Sequence, residues 1–142
     1  MKKKLLVFCL LIALLIFSVF IYWNIRKQQI QQKAALTPYI HQVFKVLIPE
    51  ILQARENTIL EVPVNGQWQD HIIFIRNQGC WKYIVKDGSL LQIHNGKAVR
   101  MAGSVVDLRF RRQRESPGVL EVQVQVRKDV SLVSHLKIRI SS

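Results

Sequence analysis

From Leu5 to Trp23 the chain runs through 19 residues without a charge, a Gly or a Pro, between Lys2-Lys3-Lys4 on one side and Arg26-Lys27 on the other. About 20 helical residues at about 1.5 Å each cross the roughly 30 Å hydrocarbon core of a bilayer. The run predicts a membrane-spanning helix, so everything beyond it is read as tethered. Secretory cleavage needs small residues before the scissile bond, and Ser18, Phe20 and Tyr22 supply no such pattern. Cys9 follows Phe8, where a lipoprotein site needs a small residue. The expectation is an uncleaved signal anchor. The compact basic cluster at the N-terminus favours a cytoplasmic N-terminus, which places the C-terminal part outside the cytoplasmic (inner) membrane.

Charge narrows the class of partner. The chain has 21 Lys plus Arg against 9 Asp plus Glu, and setting aside Lys2, Lys3 and Lys4 leaves 18 against 9. Such a balance favours anionic lipid headgroups, DNA or another acidic polymer, and says nothing about fold. Cys9 lies in the anchor and Cys80 far beyond it. There is no disulfide framework, and stability has to come from an apolar core. The 119 residues from 24 to 142 suffice for one small domain. We divide the chain into an anchor with a helical stem, 1–36, and a folded part, 37–142.

From Asn24 to Leu36 the sequence is polar and rich in Gln, Lys and Ala, good helix formers with no Gly or Pro among them. Thr37-Pro38 reads as a break or kink followed by a restart, because Thr caps helices and Pro is tolerated in their first turn. Beyond it Ile40, Val43, Phe44, Leu47, Ile51 and Ala54 recur at helical spacing. Pro49 removes one backbone bond from this segment and predicts a bend. Leu5 to Asn57 is thus expected to be one long kinked rod, apolar in its first half and amphipathic in its second.

After Asn57 the period changes to two. Val106, Leu108 and Phe110 alternate with Asp107, Arg109 and Arg111; Leu120, Val122, Val124 and Val126 with Glu121, Gln123, Gln125 and Arg127; Leu136, Ile138 and Ile140 with His135, Lys137 and Arg139. Alternation of this kind means strands with one buried and one wet face. Asn65-Gly66, Asn77-Gln78-Gly79, Asp87-Gly88, Asn95-Gly96 and Ser116-Pro117-Gly118 mark turns, and the Asn-Gly and Asp-Gly pairs suit tight hairpins. Strands are predicted near 59–64, 71–76, 80–86, 89–94, 97–101, 105–110, 119–128 and 132–140. The fold class is therefore α+β, a long N-terminal helix whose amphipathic half covers one antiparallel β-sheet, with Phe44, Leu47 and Ile51 facing Leu108, Phe110, Val122 and Val124.

Chemistry is sparse. His41, His71, His94 and His135 stand alone, without metal-ligand spacing, and are read as surface or strand-face residues. No nucleophile elbow or phosphate loop is present, and Asp107 and Glu121 are read as solvated carboxylates on polar strand faces. We expect no catalysis, cofactor, metal or small-molecule substrate. The densest charge is Arg109, Arg111, Arg112 and Arg114, reinforced by Arg127, Lys137 and Arg139 if neighbouring strands pair. These seven are the candidate polyanion-binding residues, with Trp68 or Trp81 near enough to stack on a base.

An apolar-then-amphipathic rod ahead of Trp81-Lys82-Tyr83-Ile84-Val85, Asp87-Gly88-Ser89-Leu90, Asn95-Gly96, Val105 to Phe110, Val119 to Val124 and Leu136 to Ile140 resembles the type IV pilin-like minor pseudopilins of type II secretion and competence systems. The resemblance implies a pilin-like fold, no catalysis, and a scaffold or assembly role among other pilin-like membrane subunits. Its prepilin peptidase site, a Gly before Phe or Met with a Glu five residues into the mature chain, has no counterpart. Lys4-Leu5 stands at that place, and the first Glu is Glu50.

Overall fold

The computed structural model describes residues 2–55, 58–76, 79–128 and 131–140. One helix, α1 (Lys2–Gln53), precedes eight strands. Two compact units divide the chain, Met1–Ala35 and Leu36–Ser142. In the first, every described side chain from Val7 to Ala35 is exposed.

Of the break or kink expected at Thr37-Pro38, the break is absent: α1 passes through both Pro38 and Pro49. Each proline withholds an N–H from the carbonyl four residues before it, Ala34 and Lys45. Both prolines and both carbonyl-bearing residues are exposed, so the unpaired carbonyls lie on the open side of the helix. The opposite side carries Leu36, Ile40, Val43, Leu47 and Ile51, all buried. Phe44 is only partly buried at the margin of this stripe.

Eight strands form near the predicted places, but they build two sheets rather than the single sheet expected. Five form a meander, β1 (Ile59–Leu60), β2 (His71–Arg76), β3 (Gly79–Lys86), β4 (Ser89–His94) and β5 (Lys97–Gly103). Three more, β6 (Val105–Gln113), β7 (Ser116–Arg127) and β8 (Ser131–Arg139), form a second. All neighbouring strands are antiparallel. Asp87-Gly88 and Asn95-Gly96 adopt positive φ at both residues (51° and 69°, 50° and 74°) and close the β3–β4 and β4–β5 hairpins in two residues.

Other turn residues act differently. β1 stops at Leu60, short of the predicted 64, because Glu61 takes φ 61° and Pro63 has no N–H for a ladder. Asn65-Gly66 belongs to the connection from β1 to β2, which lies along the free side of β6: Gln69 and Phe110 exchange two backbone bonds of 2.8 Å, and Gly66 N–H donates to Arg112 O at 2.9 Å. Asn77-Gln78 falls outside the described residues. Ser116-Pro117-Gly118 opens β7, and the β6–β7 turn sits earlier, at Arg114-Glu115, with Gln113 opposite Ser116.

Burial in β6 departs from the alternation read in the sequence. Val105 is buried and Val106 is 46% exposed, the reverse of expectation. The register slips between Val105 and Asp107, and such a bulge moves one residue out of phase. Leu108 and Phe110 regain the inner face, opposite Val124 and Val122 of β7. With Leu47, Ile51, Ile72, Phe74, Tyr83, Leu90 and Leu120 they form one core. Phe74 and Tyr83 meet edge to face at 5.8 Å, and the Tyr83 hydroxyl bonds Gln92 at 2.5 Å. Burial pushes the Tyr83 phenol above its usual range.

Candidate functional site

The three-stranded sheet has two faces of opposite character. Register sets Arg111, Glu121 and Lys137 in one row across β6, β7 and β8, and Arg109, Gln123 and His135 in the next. Arg127 ends the outer row of β7, and Arg139 lies opposite Val119. Five of the seven predicted cations, Arg109, Arg111, Arg127, Lys137 and Arg139, therefore share the outward face. Arg114 stands apart in the exposed β6–β7 turn.

Arg112 does not join them. Adjacent strand residues point to opposite faces, and Arg112, opposite Leu120, is only 6% exposed. Its Nε donates to Pro117 O at 3.1 Å. It ties the start of β7 to the inner side of β6, and a solvated ligand would not reach it.

At the centre of the outward face lies Glu121, only 7% exposed despite its position. Arg111 reaches its Oε2 through Nε at 2.9 Å and again through Nη2. Gln113 Nε2 donates to Oε1 at 2.9 Å, and Lys137 Nζ stands 3.2 Å from the same oxygen. Burial alone would raise the Glu121 carboxyl. The hydrogen bonds and charges of Arg111 and Lys137 outweigh it and hold the group below the usual carboxylate range. Glu121 is therefore no free solvated carboxylate: it organises two of the predicted cations.

Trp68 completes this cluster. Gln69 is fixed by its backbone exchange with Phe110, which brings the preceding indole beside β6, with the Arg111 guanidinium carbon 4.4 Å from its ring centre. A cation held against an aromatic face and a carboxylate is fixed in orientation. Arg109 pairs with Asp107 at 2.7 Å. Arg114, Arg127 and Arg139 are exposed, and among the described residues none of the three is paired with a carboxylate.

The four histidines divide. His71 Nδ1 lies 2.6 Å from Asp70 Oδ1, and its Nε2 meets Glu61. The His71 contact lowers the Asp70 carboxyl. His94 stacks on Trp81 at 3.8 Å and within 4° of parallel, with Nδ1 3.1 Å from Cys80 O. A Cβ at Gly79 would meet the His94 ring at 2.6 Å, so the glycine leaves room for the stack. His41 and His135 are exposed. Among the described residues no group of three or more His, Cys, Asp or Glu is placed to hold a metal ion.

Sequence reasoning missed the Glu121 cluster and the His71 contacts with Glu61 and Asp70. Opposite charges on three strands become a signal only once register aligns them, and Glu61 is brought to His71 by a turn at positive φ. The chain matches no protein-family model, no curated protein and no solved structure.

Proposed function

We propose that this chain is a non-catalytic, single-pass membrane component of a bacterial type IV filament or type II secretion or competence system, acting as a pseudopilin-like assembly or scaffold subunit. The observation that carries the reading is the division of labour within α1. Its N-terminal part is apolar on all sides and exposed, while Leu36 to Ile51 bury a stripe against antiparallel sheets. An apolar helix left uncovered by its own protein is suited to lipid and to other helices in lipid, where close packing supplies the association energy. The reading places the chain in the cytoplasmic membrane, N-terminus inside and β domain outside.

Deletion of the gene tests it: filament assembly, or secretion or DNA uptake through such a system, is expected to fail and to recover on complementation. Normal function of every such system in the deletion strain refutes the role.

A second reading, capture of DNA or another polyanion, is favoured by the shared outward placement of Arg109, Arg111, Arg127, Lys137 and Arg139. It requires affinity that falls steeply with salt, since each neutralised phosphate releases a counterion. Failure of the full-length protein in detergent to bind single- or double-stranded DNA at low salt removes DNA as its ligand.

A further inference from the structure

The strand β8 ends its sheet with one long side open. Its ladder with β7 runs through nine consecutive pairs without a register shift, from Val119↔Arg139 to Arg127↔Ser131. Ile140 N–H donates to Gly118 O at 2.7 Å, and this fixes the phase of the ladder. In an antiparallel pair, residues alternate between bonding the neighbour and facing away from it. The N–H and C=O groups of Val133, His135, Lys137 and Arg139 are thus directed to the open edge, where no strand among the described residues pairs with them.

The remaining edges are less suited to pairing. The free side of β6 is covered by the Gly66–Gln69 backbone, β1 is two residues long, and the pairing of β5 with β4 is interrupted by a shift between Leu90 and Leu91. Charged side chains on an edge strand commonly serve only to prevent aggregation. Here a second feature lies beside them. Thr37, Ile40, His41 and Phe44 of α1 and Leu132, Val133 and Ser134 of β8 line a groove of about 250 Å³ at that edge. Phe44 and Leu132 are partly buried against the core, and Val133 is 42% exposed.

From this juxtaposition we infer that the open edge of β8 and its groove form a strand-addition site for an extended segment of another protein that alternates apolar with acidic residues. Backbone bonds to the edge supply affinity in such complexes, and pockets for alternate side chains supply specificity. Apolar residues of the guest fall on the inner side, over Ile40, Phe44 and Leu132. Its acidic residues fall on the outer side, beside His135, Lys137 and Arg139. The one carboxylate in the row of Lys137, Glu121, is already bonded by Arg111 and Gln113 as well, which leaves this side positive. A second copy of β8 fits poorly, since it would bring two further cations and no acid. The inference does not depend on the filament role proposed above.

The test uses the full-length protein in detergent and three labelled nine-residue peptides: one alternating Val with Glu, one alternating Val with Lys, and one alternating Val with Glu but methylated at every backbone nitrogen. The Val/Glu peptide should bind at least about tenfold more tightly than either control, a difference of about 1.4 kcal/mol. Binding should slow hydrogen exchange at the amides of Val133, His135, Lys137 and Arg139. H135P removes an outward N–H and leaves the bonds to β7 intact, so it should abolish binding. Because that variant risks misfolding, K137E/R139E, with both changes on exposed side chains, supplies an independent reading: it should reverse the preference toward the Val/Lys peptide. Equal binding of the Val/Glu peptide and its N-methylated form would overturn the site, as would protection on β5 instead of β8 or an unchanged preference in the charge-reversed variant. Self-association through β8, or binding of single-stranded DNA without peptide binding, would overturn it equally.

Discussion

Val7 to Trp23 and Leu36 to Ile51 belong to one helix, and both are rich in large apolar residues, yet their surroundings are opposite. In the first, apolar side chains cover the whole circumference and all are exposed. In the second, Leu36, Ile40, Val43, Leu47 and Ile51 form one buried stripe, with Thr37, His41 and Lys45 on the open side. Burying a Leu, Ile or Phe side chain contributes about 1.5–3 kcal/mol. A stripe recovers that energy against a protein surface of matching width. A helix apolar all round cannot do so on one side, and its length and composition suit an apolar surrounding medium.

The largest expected effect separates the two halves. L14R/L15R places two charges near the centre of the apolar run, each costing about 2.5–3.5 kcal/mol for insertion. It should release the protein from the membrane fraction on alkaline extraction and leave the melting of the β domain unchanged. The converse substitution is L47A, at a fully buried position. It should lower unfolding stability by about 2–5 kcal/mol without altering membrane retention. F44A should cost less than the about 3–5 kcal/mol of a fully buried Phe, since the ring is only partly buried. Denaturant titration of the three proteins in one detergent gives the ranking, and a larger loss for F44A than for L47A would mean that the stripe is misplaced.

Smaller effects sharpen the contrast within the β domain. The folded-state carboxyl of Glu121 is held below its ordinary value of 4.5. Its contribution is therefore fully present above about pH 5, and it is lost as pH falls through the lowered value. E121Q should flatten part of the acid limb of the stability–pH curve relative to the parent; superimposable limbs would show that the cluster contributes nothing. R111A should cost more than the about 0.5 kcal/mol usual for a solvated surface side chain, because it removes two bonds to a nearly buried carboxylate and a contact with Trp68. R139A, exposed, should remain within about 0.5 kcal/mol. Equal costs for the two arginine variants would indicate that Arg111 is as solvated as Arg139.

Much of the architecture was legible because its signals are local. Positive φ at Asp87-Gly88 and Asn95-Gly96 follows from residue type, and the period-two runs in β7 and β8 survive without a slip. Of the break or kink read at Thr37-Pro38, the break does not occur, because the cost of a proline depends on whether the freed carbonyl is buried, which is a tertiary fact. Ser116-Pro117-Gly118 looked like the turn, but Arg114-Glu115 closes it with no special residue type. Within the candidate site, five cations shared a face as alternation implies. Arg112 did not, since two adjacent arginines on a strand cannot both face outward.

The sequence by itself determined the uniform apolar run, the amphipathic stripe after it, the tight turns at Asp87-Gly88 and Asn95-Gly96, and the excess of positive charge. Each depends on residues within a few positions of one another, where covalent geometry and side-chain type set the outcome. Only the tertiary structure decided that the strands divide five and three, that Val105 rather than Val106 enters the core, that Glu121 gathers Arg111, Gln113 and Lys137, and that β8 keeps an open edge beside a groove. These depend on register and on which surfaces meet, and a one-residue slip at the Val105–Asp107 bulge exchanges inside for outside without any change of composition.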